Sequence, residues 1–287
     1  MHIIRLLRPQ QWIKNLILFF PVFFAGKITD VGAIQWVLLG VLAFCLAASA
    51  VYILNDWMDR EADKLHPVKR FRPIASGHVA AGQAVVTMIL LAGSALTIAF
   101  MLDQTFLLIL AGYLLLNISY TMGLKHVAVL DVSIVGLGFL IRILAGGVLA
   151  DVEISRWIVL VSFVLALFLA IAKRREDVLL HQESGEVTRK SVTGYNLPYI
   201  SGAIILMAAV VIVAYMMYTV SPEVIARTHS PHLYLTTILV IIGVLKYLQL
   251  TLVENKSGDP VRLLLGQPFL LVLVVAWLAI MYLMIYL

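Results

Sequence analysis

Residues 54–77 read LNDWMDREADKLHPVKRFRPIASG. The stretch sets Asn55, Asp56, Asp59 and Asp63 at the end of a long apolar run and follows them with Lys69, Arg70 and Arg72. The surrounding chain makes such crowding unusual. Of its 287 residues 62% are hydrophobic and 13% charged, and its mean hydropathy is +1.00. Soluble domains are about half apolar and a quarter charged, so the composition predicts an all-α integral membrane protein. Charge placed inside such a chain is costly and needs a reason.

Working outward from this stretch, segments of about 20 mostly apolar residues mark candidate membrane spans. Nine are read, at 14–28, 33–55, 79–102, 104–122, 128–150, 156–173, 197–219, 232–253 and 266–287. The first is short and holds Pro21. Strict apolar–polar alternation is missing, which argues against a β-barrel. Of the 21 Lys and Arg residues, only Lys27, Arg156 and Arg227 fall in the loops on one side, and Arg142 falls inside a span. All the others lie at the N-terminus or in the loops after the even-numbered spans. By the positive-inside rule the N-terminus and those loops are cytoplasmic and the C-terminus is outside. The two long loops, near 56–78 and 174–196, are on the cytoplasmic side, so chemistry is expected there. No linker marks a second domain, and residues 1–287 are read as one membrane-embedded unit. No cleavable signal peptide is expected, because no small-residue cleavage site follows the first apolar run. The single Cys45 cannot form an internal disulfide.

A helix continuing from the second span turns about 100° per residue and sets Asn55, Asp59, Asp63 and Asp56 at about 0°, 40°, 80° and 100°. Glu61 points away. Carboxylates sharing a face repel one another, and a divalent cation relieves that repulsion. Hard oxygen donors of this kind suit Mg²⁺, whose shell is completed by water and substrate phosphate. The alternative is a solvated helix end whose acids pair with Arg60, Lys64 and Lys69. An EF-hand is excluded, since the loop glycine and terminal glutamate are missing. In HPVKRFRP, Pro67 and Pro73 break helix and leave Lys69, Arg70 and Arg72 on a short loop. Arginines beside a metal match a diphosphate; an anchor to anionic lipid is the plainer reading of the same charges.

A second polar cluster ends the sixth span, in IAKRREDVLLHQESGEVTRKSVTGYN (residues 171–196). Lys173, Asp177, His181 and Arg174 share one face, with Glu176 flanking it. The face is mostly basic and reads as a phosphate site retaining one carboxylate, or as a positively charged span stop. Arg189 and Lys190 are placed to close over it. Between spans four and five, Tyr120, Lys125 and Asp131 mark the cytoplasmic edge. Arg142 lies eleven residues beyond Asp131, about 16 Å deeper along a helix, and must face protein, water or an anion. Its neighbours Gly136, Gly138, Gly146 and Gly147 suit close helix packing. The seven His residues are scattered without zinc spacing. Nucleotide-loop, G-x-S-x-G and dinucleotide fingerprints are missing, and no nucleic-acid partner is expected.

The arrangement Asn55–Asp56–x–x–Asp59–x–x–x–Asp63, followed by HPVKRFRPIASG, resembles the first aspartate-rich motif of the UbiA superfamily of intramembrane prenyltransferases. The resemblance implies a nine-helix bundle with a cytoplasmic Mg²⁺ site. The segments RPQQWIKN (8–15), YTMGLKHVAVLDVSIVGLGFLIRILAGGV (120–148) and AKRREDVL (172–179) resemble the decaprenyl-phosphate phosphoribosyltransferase group. In that group the diphosphate belongs to 5-phosphoribosyl 1-diphosphate and the lipid enters as a polyprenyl monophosphate. Prenyltransferases of the superfamily usually carry a second aspartate-rich motif; here that position reads Lys173–Arg174–x–x–Asp177.

What the resemblance implies is a pentosyl transferase of the cytoplasmic membrane, related to cell-wall synthesis. Its Mg²⁺ ligands are Asn55, Asp56, Asp59 and Asp63. Lys69, Arg70 and Arg72 serve the diphosphate or the 5-phosphate, and Lys14, Lys173 and Arg174 the lipid phosphate. Asp177 is placed with the catalytic acids, and Tyr120, Lys125, Asp131 and Arg142 with the substrate contacts. Two alternatives stay open. One is a prenyltransferase acting on an aromatic or glycerol-phosphate acceptor. The other is a transporter, which should carry polar residues along its midplane helices; here the charges gather at the cytoplasmic ends.

Overall fold

The computed structural model describes residues 2–65, 68–184 and 190–287. Every regular element among them is helical. In chain order they are α1 (His2–Leu7), a 3₁₀ stretch (Pro9–Phe19), α2 (Phe20–Phe24), α3 (Val31–Met58), α4 (Arg60–Leu65), a 3₁₀ turn (Lys69–Phe71), α5 (Ala81–Leu102) and α6 (Gln104–Met122). They continue with a 3₁₀ turn (Leu124–His126), α7 (Leu130–Leu149), α8 (Arg156–Ser184), a 3₁₀ turn (Lys190–Gly194) and α9 (Leu197–Val220). The last are α10 (Pro222–Thr228), a 3₁₀ turn (Leu233–Thr236), α11 (Thr237–Leu252), α12 (Pro260–Gly266) and α13 (Pro268–Tyr286). Eight helices among the described residues are long and apolar enough to cross a membrane: α3, α5, α6, α7, α8, α9, Leu233–Leu252 and α13. The protein is thus a multi-pass membrane protein.

The span read at 14–28 takes a different form. Residues 9–19 wind as a 3₁₀ helix and only Phe20–Phe24 are α-helical. A 3₁₀ helix rises about 2.0 Å per residue against about 1.5 Å for an α-helix, so a short segment reaches further. The sixth span runs longer than its apolar stretch, because α8 carries its helix through the charged residues to Ser184. Pro67 and Arg189, which the sequence reading uses, lie outside the described residues, as does the side chain of Lys190.

Two compact units divide the chain. The first comprises residues up to Phe23, 27–124 and 141–153. Its core is built on α3, whose run of Ala43, Ala47, Ala48 and Ala50 is buried and lets α5 and α6 pack closely. Phe44, Phe106, Leu110, Tyr113 and Leu149 fill the rest of that core. Two glycines are fixed by close approach. A Cβ on Gly40 would stand 2.1 Å from Leu149 Cδ1, and one on Gly146 would stand 2.1 Å from the Leu18 carbonyl oxygen. The connection from α5 to α6 is Asp103 alone, whose side chain accepts from the Phe106 N–H at 2.8 Å. Capping of this kind satisfies a helix terminus that lipid cannot.

The second unit comprises residues 24–26, 125–140 and 154–287. Here α9 packs on α8 and α11, and α11 on α13. The core is Phe168, Ala172, Ile204, Ala208, Val211, Val244, Tyr247, Leu250 and Leu270. Asn196 caps α9 through the Tyr199 N–H at 2.8 Å.

Candidate active site

The first cluster lies in the first unit, where α3 gives way to α4. α3 ends at Met58 and Asp59 takes φ −89°, ψ 1°, yet i→i−4 bonding carries across the joint. Asp59 N–H donates to the Asn55 carbonyl at 2.9 Å and Asp63 N–H to the Asp59 carbonyl at 2.8 Å. The helical face read from sequence therefore survives the break. Asp56 and Asp63 are 2% and 3% exposed, and one guanidinium joins them. Arg72 Nη1 donates to Asp63 Oδ2 at 2.7 Å and to Asp56 Oδ1 at 3.1 Å. Arg8 Nη2 donates to the same Asp56 oxygen at 2.5 Å while its guanidinium lies 5.2 Å from the Tyr52 ring centre. Arg60 and Lys64 turn to Glu61 instead, which disfavours reading them as the partners of the aspartates.

Those carboxylates carry buried negative charge and are balanced by arginine. Among the described residues no three acidic, His or Cys side chains converge as a metal group. The donor set nevertheless fits a hard cation. Asn55 Oδ1 is a buried amide oxygen without a hydrogen-bond donor, on the residue that precedes Asp56 at the end of α3. A buried acceptor left unmatched is costly, and a cation satisfies it. Asp59 and Lys69 are half-buried, and Arg70 is exposed over Phe71 at 4.9 Å.

Arg142 acquires the partners the sequence could not name. It is 7% exposed. Its Nε donates to Asn15 Oδ1 at 2.7 Å and its Nη2 to the Tyr113 hydroxyl at 3.0 Å. Its guanidinium lies 5.6 Å from the Phe44 ring centre and 4.7 Å from that of Tyr113. Aromatic faces and two acceptors make a buried cation tolerable. Lys14 is half-buried next to Asn15 in the 3₁₀ stretch, and Tyr120 is half-buried near the end of α6.

The second cluster lies in the second unit. Asp131, in the first turn of α7, is fully buried. Arg174 Nε lies 2.8 Å from Asp131 Oδ2, and Arg174 Nη1 donates to Asp177 Oδ2 at 2.5 Å. The Ser191 hydroxyl donates to Asp131 Oδ2 at 3.0 Å and the Tyr195 hydroxyl to Asp131 Oδ1 at 2.7 Å. Burial, reinforced by the Asp131 carboxylate and opposed by a hydrogen bond from Val129, holds the Tyr195 phenol well above its ordinary value, so it remains a donor. Val129, Val132, Ile171, Arg174, Tyr195 and Ile200 line a cavity of about 50 Å³ whose surface is almost wholly apolar. Lys173 is half-buried, and Lys125 is buried in the turn before α7.

Sequence reasoning placed Asp131 with the substrate contacts; the structure surrounds it with protein donors. It also missed Arg8, Ser191 and Tyr195. Arg8 carries a signal in hindsight, as the cation that opens RPQQWIKN. Ser191 and Tyr195 carry none of their own, because only the fold brings them sixty residues back to Asp131.

The fold and sites define a multi-pass helical membrane protein with a buried carboxylate–guanidinium cluster in each unit. The family model for the UbiA prenyltransferase family matches residues 17–273, and the chain belongs to that family. It is 36% identical to decaprenyl-phosphate phosphoribosyltransferase of Mycolicibacterium smegmatis, over 96% of this chain and 89% of the relative. It is 33% identical to the protein of the same name from Corynebacterium glutamicum, over 96% of this chain and 83% of that one. Among solved structures, a UbiA homolog from Archaeoglobus fulgidus bound to GPP and Mg²⁺ superposes with a TM-score of 0.73 at 21% identity, covering 99% of both chains.

Proposed function

We propose that the protein transfers 5-phosphoribose from 5-phosphoribosyl 1-diphosphate to a polyprenyl monophosphate, releasing diphosphate. The observation that carries this reading is the near full-length likeness to relatives named for that activity. The basic character of the Lys173–Arg174–x–x–Asp177 cluster supports it, since a monophosphate acceptor and a sugar diphosphate both call for cations. In the reaction a lipid phosphate oxygen attacks the anomeric carbon. The new C1–O bond forms as the bond from C1 to the diphosphate oxygen breaks, through an oxocarbenium-like transition state.

Asn55, Asp56, Asp59 and Asp63 are the residues that would hold Mg²⁺. When bound, the ion would neutralise charge developing on the departing diphosphate. Arg72, with Lys69 and Arg70 on the same loop, binds the diphosphate or the 5-phosphate and keeps Asp56 and Asp63 together. Arg8 balances the charge of Asp56. Lys14, Lys173 and Arg174 attract the lipid phosphate, which is already anionic at neutral pH. Asp177 fixes Arg174, and Tyr120 and Lys125 are assigned to substrate contact. Arg142 is assigned a supporting part through Asn15, the neighbour of Lys14. We assign residues 1–287 to one catalytic domain in the cytoplasmic membrane, with 9–24 as a ninth crossing, the N-terminus and active-site loops in the cytoplasm and the C-terminus outside.

The test uses purified protein, Mg²⁺, a polyprenyl phosphate and phosphoribosyl diphosphate labelled in the ribose. Label should enter the lipid phase and stop doing so on addition of EDTA. Consumption of a labelled prenyl diphosphate in place of the sugar would overturn the assignment in favour of a prenyltransferase.

A further inference from the structure

The second cluster holds more buried polar chemistry than a phosphate contact requires. Asp131 is fully buried, and both of its oxygens are met by side chains from other segments: Arg174 on α8, Ser191 in the turn after α8, and Tyr195 just beyond it. Removing a carboxylate and a guanidinium from water is expensive, and attraction between them offsets this only when the remaining lone pairs are satisfied. Two hydroxyls donate to the carboxylate, which also sits in the first turn of a twenty-residue helix, whose N-terminus favours negative charge.

The backbone around this network is bent to make it. Val129 adopts φ +70°, a conformation costly for a β-branched residue. In that pose its N–H donates to the Tyr195 oxygen at 2.6 Å. The same hydroxyl thus accepts from the α7 approach and donates to Asp131. Gly194 completes the fit, since a Cβ there would stand 2.6 Å from the Cβ of Ala128. Strain and close approach both serve one end: they press the 190–195 segment against Asp131. Arg174 is then set between two carboxylates, its Nε within ion-pair distance of Asp131 and its Nη1 donating to Asp177. A planar guanidinium set between two carboxylates has little freedom to turn, and it lines the same apolar cavity as Tyr195.

We propose that Asp131 is a positioning residue, which together with Ser191 and Tyr195 fixes the Arg174 guanidinium in the orientation that receives the phosphate of the lipid acceptor. The proposal rests on the reading of Arg174 as a lipid-phosphate contact. It assigns Asp131 no contact with substrate. Its consequence is energetic coupling: Asp131 matters only while Arg174 is present.

The test is a double-mutant cycle on Asp131→Asn and Arg174→Gln, read two ways. The first readout is the KM for polyprenyl phosphate in the transfer assay, and the second is direct binding of decaprenyl phosphate to protein in detergent. Each single variant should weaken lipid use roughly 10–100-fold, the range for a lost hydrogen bond to a charged group. The KM for phosphoribosyl diphosphate should stay within about twofold. The double variant should be no worse than the worse single one. Tyr195→Phe keeps the ring and removes only the hydroxyl. It should raise the lipid KM about 3–10-fold, as one neutral donor is lost, and should change nothing further in the Arg174→Gln background. It serves as the probe if Asp131→Asn does not fold. Losses that multiply, or a Tyr195→Phe protein with an unchanged lipid KM, would overturn the proposal. Wild-type protein that binds decaprenyl phosphate but transfers no phosphoribose would defeat the functional reading alone, leaving the coupling to be read from binding. A wild-type protein that binds no decaprenyl phosphate would defeat both, and an Arg174→Gln protein that binds it unchanged would defeat the proposal alone.

Discussion

At the scale of single residues, the cluster at 55–72 is a balance of charges completed by Arg8. Asp56 meets both Arg8 and Arg72, while Arg72 spans Asp56 and Asp63. Asp56→Asn keeps the shape and removes one negative charge. Turnover is expected to fall on the order of 10²-fold or more, with the protein still inserted and folded. Asp59→Asn should behave alike. Full activity in both, measured by transfer of labelled ribose, would end the reading of these residues as metal and diphosphate ligands. The aspartates themselves were legible in the sequence, because four oxygen-bearing side chains on one helical face of a greasy chain have few explanations. Their partner was only half legible. The sequence marks Arg72 as a phosphate ligand, and the structure adds that it bridges the acids. Arg8 was missed because nothing in a linear sequence brings position 8 to position 56. Arg142 marked itself as functional or structurally special by depth alone, but Asn15 and Tyr113 come from other helices, and no periodicity links them.

At the scale of elements, hydrophobic runs located the long helices well. The segments read at 104–122 and 197–219 coincide with Gln104–Met122 and Leu197–Val220 to within a residue. Two elements escaped the pattern for physical reasons. The 3₁₀ winding of Pro9–Phe19 leaves no hydropathy signature distinct from an α-helix, since only the turn geometry differs. The extension of α8 to Ser184 hides because the residues that continue it are charged, and helices continue through charge when the backbone bonds are intact. Helix ends are where an element-scale prediction can be made. Asp103 is the whole link between α5 and α6, and its carboxylate caps α6. Asp103→Ala should cost about 0.5–2 kcal/mol of stability, seen as a lower unfolding midpoint in detergent. Asp103→Asn should retain most of that stability, because the amide oxygen accepts the same hydrogen bond. Transfer activity at low temperature should be unaltered in both, as the cap lies outside the proposed site. Equal losses of stability in the two variants would show that charge and not capping is at work.

At the scale of the whole molecule, the distribution of Lys and Arg and the number of crossings constrain one another. With the N-terminus in the cytoplasm, a C-terminus outside requires an odd number of crossings. Eight helices satisfy the length and composition of a span. On the proposed topology the ninth crossing is the 3₁₀ and α2 segment at 9–24, whose sixteen positions gain length from the tighter winding. The alternative is that this segment lies in the interface, with eight crossings and both ends on one face. Position-specific cysteines decide between them, and the chain lends itself to the method because its single Cys45 is buried and accepts from Asn15. In a Cys45→Ala background, Ser76→Cys should react with a membrane-impermeant maleimide only after the cytoplasmic side is opened. Glu223→Cys, beyond α9, should react in intact cells, and so should a cysteine appended after Leu287. A tail that reacts only from the cytoplasmic side, with Glu223→Cys still reactive in intact cells, would remove one crossing from the last third of the chain. If all three positions behave as expected, a cysteine at His2 gives the final discrimination. Labelling of His2→Cys from the cytoplasm alone requires residues 9–24 to cross, because Lys27 and Asp30 then stand on the far side, the side the proposed topology assigns to them.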